Sequence, residues 1–131
     1  MGFFDRFKSE RDIAKEEINK IPWKYLETIA DLDEVDTTSQ TKFALIFKHS
    51  TTCGISRMIL RDFENEYDFI EENFQPFFLD LRKNRDVSNT VAEKYNVIHE
   101  SPQVLLIKNG KSVFDTSHGR ISVEKIKEEM E

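Results

Sequence analysis

The stretch that most constrains the fold runs from Phe43 to Ser56. Five consecutive apolar residues, Phe43-Ala44-Leu45-Ile46-Phe47, give way to Lys48-His49-Ser50-Thr51-Thr52 and then to the single cysteine of the chain, Cys53. An apolar run without alternation suits a strand covered on both faces, as inside a parallel sheet. Beyond it, Ile55, Ile59, Phe63, Tyr67 and Ile70 recur three or four residues apart, the period of a helix with one apolar side. The spacing predicts a strand over residues 42–48 and a helix over 53–71, with Thr51 or Thr52 as its N-cap. Cys53 then lies at the carboxyl end of a strand and the amino end of a helix, where binding and catalytic groups collect in open α/β sheets.

A thiol in that position has a definite chemistry. Unsatisfied N–H groups and the positive end of the helix dipole favour an anion, so a thiolate there is stabilised relative to the thiol. Thr51, Thr52 and Ser56 surround Cys53 with polar groups, which points to a reactive thiol over a cysteine buried as a small apolar residue. In Cys53-x-x-Ser56 a hydroxyl stands where a dithiol oxidoreductase carries its second cysteine. Ser56 cannot resolve a mixed disulfide, although its hydroxyl is placed to hydrogen-bond the thiolate. His49 and Lys48 are the nearest cationic residues in sequence, and for His49 a solvated loop position is the simpler expectation. His49, His99 and His118 are too widely spaced for a metal signature, and no cysteine pair completes one.

The remaining segments extend the same pattern. Ile21 to Leu26 reads as a short strand and Ala30 to Asp36 as an acidic helix leading to a loop at Thr37 to Thr41. Phe77, Phe78, Leu79 and Leu81, following Pro76, suggest a second parallel strand, and Ser88 a cap for a helix over Val91 to Tyr95. Pro102 opens the strand Val104-Leu105-Leu106-Ile107, and Asn109-Gly110 signals a tight hairpin into Val113-Phe114. Ser122 caps a closing helix with Val123, Ile126 and Met130 on one stripe. The order βαβαβαββα predicts a central mixed sheet with helices on both faces, right-handed crossovers joining the parallel strands. Residues 21–131 are expected to form one domain, preceded by a helical extension over residues 1–20 whose Phe3, Phe4, Phe7, Ile13 and Ile18 dock on it.

Charge and cysteine count exclude several classes. A net charge of -6 speaks against nucleic acid as the default partner. A single cysteine leaves no internal disulfide framework, and no apolar run is long enough for an export signal or a membrane helix. A reducing cytoplasm fits these features. Glu10, Asp12, Glu16 and Glu17 within the extension oppose binding to an anionic membrane surface.

His49-Ser50-Thr51-Thr52-Cys53-Gly54-Ile55-Ser56, followed by Val97-Ile98-His99-Glu100-Ser101-Pro102-Gln103 and by Ser117-His118, resembles the monothiol bacilliredoxin family of thioredoxin-like proteins. The likeness runs from about Trp23 to Met130. It implies a thioredoxin-like fold in which Pro102 is cis and faces the reactive cysteine, so that Ser101 offers its backbone to an incoming substrate strand. It further implies Cys53 as the catalytic residue, with Thr52, Gly54, Ser56, Ser101 and Pro102 binding substrate or stabilising the thiolate. The family carries proline where this chain has Gly54, which leaves a freer turn and one more N–H near the sulfur. The implied activity is monothiol thiol-disulfide exchange. Bacillithiol would be the small co-substrate, S-thiolated proteins the partners, and no cofactor would be tightly bound. The alternatives are a non-catalytic thioredoxin-like adaptor, for which Gly54 is the motive, and an iron-sulfur carrier sharing a cluster between subunits through Cys53 and a thiol cofactor.

Overall fold

The structure is a computed structural model that describes residues 21–131; the helical extension expected over residues 1–20 lies outside the described residues. Strand β2 (Phe43–His49) forms the centre of the sheet, because its apolar residues need cover on both sides and on both faces. It pairs in parallel with β3 (Phe74–Asp80), from Phe43 opposite Phe74 to His49 opposite Asp80. On its other side it pairs antiparallel with β4 (Gln103–Lys108), from Ala44 opposite Ile107 to Lys48 opposite Gln103. The edges are β1 (Lys24–Tyr25), parallel to β3, and β5 (Lys111–Ser117), antiparallel to β4, so the spatial order is β1-β3-β2-β4-β5.

Among the described residues four α-helices cover the sheet: α1 (Leu32–Ser39), α2 (Gly54–Glu66), α3 (Arg85–Tyr95) and α4 (Val123–Glu129). Alternation along β2 divides the core in two. Ala44 and Ile46 pack with Leu32 and Val35 of α1 and with Val87, Val91 and Tyr95 of α3. Leu45 and Phe47 pack with Ile59 and Phe63 of α2 and with Val123 and Ile126 of α4. The second face is the aromatic one: Phe47 meets Phe63 edge-on with centroids 5.2 Å apart, and Trp23 packs against both rings. Each such buried side chain contributes about 1.5–3 kcal/mol of burial free energy.

The element order is the expected βαβαβαββα, and several boundaries differ for physical reasons. The first strand shrinks from Ile21–Leu26 to two residues, preceded by Pro22, whose carbonyl is taken by the Gln75 side chain at 2.7 Å. The acidic helix begins as a 3-10 turn over Ile29–Asp31, closed by a capping box between Thr28 and Asp31, and α1 runs on through Thr37 and Thr38. Pro76 does not precede its strand but lies inside β3. That position tolerates it because β1 reaches β3 only from Phe77 onward, and the Pro76 carbonyl accepts from Gln75 Nε2 at 2.9 Å. Ser88 is no cap. Helix α3 starts at Arg85 after Asn84, and Ser88 is buried within it.

The hairpin forms where Asn109-Gly110 predicts it, with φ of 53° and 74° at the two residues, the left-handed pair that a type I′ turn requires. A β-bulge between Leu106 and Ile107 interrupts the β4–β5 ladder. At α4, Ser122 Oγ accepts the Lys125 N–H at 3.1 Å, which is the expected cap.

Candidate active site around Cys53

Helix α2 is shorter than its apolar period suggests, Gly54–Glu66 in place of 53–71. Ile55 and Ile70 are exposed, and only Ile59 and Phe63 of the predicted stripe reach full burial. Neither Thr51 nor Thr52 is the N-cap. Cys53 itself takes that place, in extended conformation at φ -95° and ψ 119°. Its N–H donates to the Ser50 carbonyl at 3.2 Å, closing the turn, and its own carbonyl accepts the Arg57 N–H at 3.1 Å, opening the helix. The half-buried side chain makes no capping bond, so Cys53 stands at the N-cap with the first-turn N–H groups not engaged by its sulfur.

The turn is braced from below. Ser56 is fully buried; its Oγ accepts the Ser50 N–H at 3.1 Å and lies 2.8 Å from Nδ1 of His49. The expectation of a solvated loop position for His49 is corrected: it ends β2 and is buried, since the strand continues one residue past the apolar run. Burial pushes its pKa below the usual histidine value, the charge of Arg57 pushes the same way, and Asp80 opposes them. The lowered pKa favours the uncharged ring, which argues against His49 as a cation for the thiolate. The Ser56 hydroxyl, expected to serve the sulfur, has two partners in the turn and strand.

Lys48 is turned the other way. Alternation along β2 puts it on the α1/α3 face, opposite α2, fully buried, with Nζ 3.2 Å from Nδ1 of His99. Desolvation lowers its pKa from 10.5 to about 8. It is therefore not the cationic neighbour of Cys53 that its sequence position suggests. His99 also lies 3.4 Å from the Ser88 hydroxyl, and burial, Lys48 and Arg85 lower its pKa against the pull of Glu100.

The segment from His99 leads to Ser101–Pro102, a cis peptide bond at the head of β4. Gln103 anchors this loop, its Nε2 donating to the Ile98 carbonyl at 2.9 Å, and the Pro102 carbonyl accepts the His118 N–H at 2.9 Å. Because Gln103 pairs with Lys48, buried Pro102 stands beside the carboxyl end of β2, where the cysteine turn begins. Thr52, Cys53, Gly54 and Ser56 thus share one turn, and Ser101 and Pro102 stand on the neighbouring strand's approach to it.

Sequence reasoning missed two arginines. Arg82 Nη1 donates to Thr52 Oγ1 at 2.7 Å, and Nη2 of Arg57 lies 3.9 Å from where a Cβ on residue 54 would stand. The signal for Arg82 was Arg82-Lys83-Asn84-Arg85, a basic cluster directly after an apolar strand. Among the described residues no group of three or more His, Cys, Asp or Glu side chains gathers to hold a metal, and no helix is long and apolar enough to cross a membrane.

Over residues 24–126 the sequence matches the family described as monothiol bacilliredoxin BrxC. Among solved structures it is similar to a protein described as a candidate oxidoreductase with a thioredoxin fold, at 31% identity and a TM-score of 0.71, covering 84% of this chain and 95% of that one. It is also similar to Fasciola hepatica thioredoxin, at 25% identity and TM-score 0.62 over 82% of this chain and 95% of that chain. Malassezia sympodialis thioredoxin, at 19% identity and TM-score 0.63 over 81% and 85% of the two chains, shares the fold.

Proposed function

The chain belongs to the monothiol bacilliredoxin family, with a thioredoxin fold and a thiol redox function, and on that premise we propose that Cys53 removes bacillithiol, or a similar low-molecular-weight thiol, from mixed disulfides on S-thiolated proteins. The Cys53 thiolate attacks the sulfur of the small thiol. The disulfide to the target breaks, the target leaves as its thiolate, and a new disulfide holds the small thiol on Cys53. A second thiol from outside then attacks that disulfide, leaves with the small thiol as a free disulfide, and restores the Cys53 thiolate. The reading includes a reducing cytoplasm as the place of work.

The observation that carries the proposal is the turn itself: the only cysteine occupies the N-cap of α2, while the residue one turn on is a serine engaged with Ser50 and His49. Nothing in the chain can expel a small thiol once it is bound. Intact mass spectrometry after incubation with oxidised bacillithiol, glutathione disulfide or coenzyme A disulfide should show one adduct on Cys53 that persists until free thiol is added. Cys53→Ser should give no adduct while remaining folded. Ser56→Cys should lose the adduct rapidly to an internal disulfide. Absence of any adduct on the wild-type protein would sink the enzyme reading in favour of a non-catalytic adaptor.

A further inference from the structure

Two guanidinium groups stand near the residues on either side of Cys53, and they come from separate elements. Arg57 stands one turn into α2, its Nη2 bordering the space that a side chain on residue 54 would enter. Arg82 lies in the loop after β3, and that loop is folded back by Asp80, whose Oδ1 accepts the N–H groups of Arg82 and Lys83 at 3.1 and 3.2 Å. The fold sends the Arg82 side chain across to Thr52. Among the described residues neither arginine forms an ion pair with a carboxylate, whereas Lys83 pairs with Glu27 at 3.9 Å. A guanidinium carries five N–H donors, so a single bond to Thr52 leaves Arg82 several free.

Charges of both signs stand at this end of the sheet: at His49 the pull of Asp80 exceeds the push of Arg57, while at His99 Lys48 and Arg85 outweigh Glu100. Asp80 has Oδ1 engaged by the N–H groups of Arg82 and Lys83. Arginine suits carboxylates in particular, since its planar fork can bond both oxygens.

We propose that Arg57 and Arg82 bracket Cys53 as a carboxylate-binding pair, so that the site selects small-thiol disulfides bearing carboxylates over neutral ones. The proposal rests on the reading of Cys53 as an exchanging thiol and specifies which small thiols it accepts. The bracket stands at residues 52 and 54, the chain neighbours of Cys53, and its part is to hold the group bonded to the attacked sulfur. In the exchange written above, that group is the small thiol. The exchange breaks one S–S bond and forms another without net oxidation, and the arginines act only by holding the carboxylate.

Paired probes that differ in charge test this apart from the exchange reaction. For the full-length protein, the ratio of Cys53 alkylation rates by iodoacetate and iodoacetamide should exceed that of free cysteine by about fivefold at low ionic strength. It should shrink in 0.5 M salt, as partly exposed charges are screened. The Arg57→Gln/Arg82→Gln double variant should bring the ratio back to that of free cysteine, and Arg57→Lys/Arg82→Lys should keep part of the excess. The ratio of adduct formation with glutathione disulfide to that with 2-hydroxyethyl disulfide should follow the same order. Equal ratios in wild type and the glutamine variant overturn the bracket while leaving exchange intact, and so does an equal slowing of charged and neutral probes. No adduct with any disulfide, alongside an alkylation ratio that still falls in the variant, overturns the exchange reaction and supports the bracket as an anion site.

Discussion

The two faces of the sheet are alike along most of β2 and part company at its last two residues. On the α1/α3 face Ala44 and Ile46 are followed by Lys48; on the α2/α4 face Leu45 and Phe47 are followed by His49. Both polar side chains are buried. Lys48 takes an ammonium into the interior and meets His99 of the loop before Pro102, whereas His49 favours its uncharged ring and meets Ser56 of the helix that carries the thiol. One step of strand alternation therefore keeps a buried charge away from the cysteine turn, and gives that turn an uncharged brace.

The largest expected effect comes from removing the charge. The folded pKa of Lys48 lies at about 8 against an ordinary 10.5. Between those values the unfolded chain binds more protons, so wild-type stability should rise with pH through that window. Lys48→Met should lose that rise and be more stable at pH 7 by about 1–3 kcal/mol, since a well-packed apolar chain replaces a desolvated ammonium. Urea denaturation at pH 7 and pH 10 would measure both. A destabilised variant would show that His99 holds the ammonium better than water does, and the contrast between the faces would narrow.

An effect of like size and opposite sign is expected on the other face. Ser56→Ala leaves the Ser50 N–H and His49 Nδ1 without their shared partner in a buried place, a loss of about 1–3 kcal/mol. The same variant should alkylate more slowly at Cys53, because the turn from Ser50 loses its brace. Lys48→Met, judged by the same assay, should not. Equal alkylation rates for Ser56→Ala and wild type would break the link between the neutral pair and the thiol.

The smallest effect lies at the turn itself. Gly54 is the first residue of α2, where an N–H has no helical partner, and the preceding Cys53 is already extended, as a residue before proline must be. The space where its side chain would stand is bounded only by Arg57 Nη2 at 3.9 Å. Gly54→Pro should therefore stabilise the fold by about 0.4–1 kcal/mol, through the unfolded chain. Denaturation of both forms checks it, and a loss of stability would mean that the turn needs the Gly54 N–H.

Where hydrophobic period and turn chemistry act alone, the sequence was a sufficient guide. The run Phe43 to Phe47, the Asn109-Gly110 hairpin and the Ser122 cap all stand where local rules put them. Rules of this kind failed where a tertiary contact decided the outcome. Ile70 keeps the helical period yet lies beyond α2, which ends at Glu66 so that the chain can turn back into β3. Ser88 has the composition of a cap, but Asn84 precedes the helix and Ser88 faces His99 inside it. At the cysteine the residues of the turn were legible, while their partners were not. That Lys48 and His49 point to opposite faces follows from alternation once β2 is known to end at His49, and no local signal fixes that end. Arg82 reaches Thr52 across 30 positions of sequence, a contact that only the pairing of β2 with β3 creates.

The short β1 and the proline within β3 have a further consequence for chains of this protein at high concentration. A sheet edge with free N–H and C=O groups is a template on which another molecule's strand can grow. Here one edge offers only Lys24 and Tyr25 before the chain turns away, with Pro76 lacking a donor just behind. At the opposite edge the bulge between Leu106 and Ile107 breaks the register of β5, and Lys111 and Asp115 put opposite charges along it. Among the described residues neither side gives an incoming strand a long straight ladder to zip onto, which works against edge-to-edge growth.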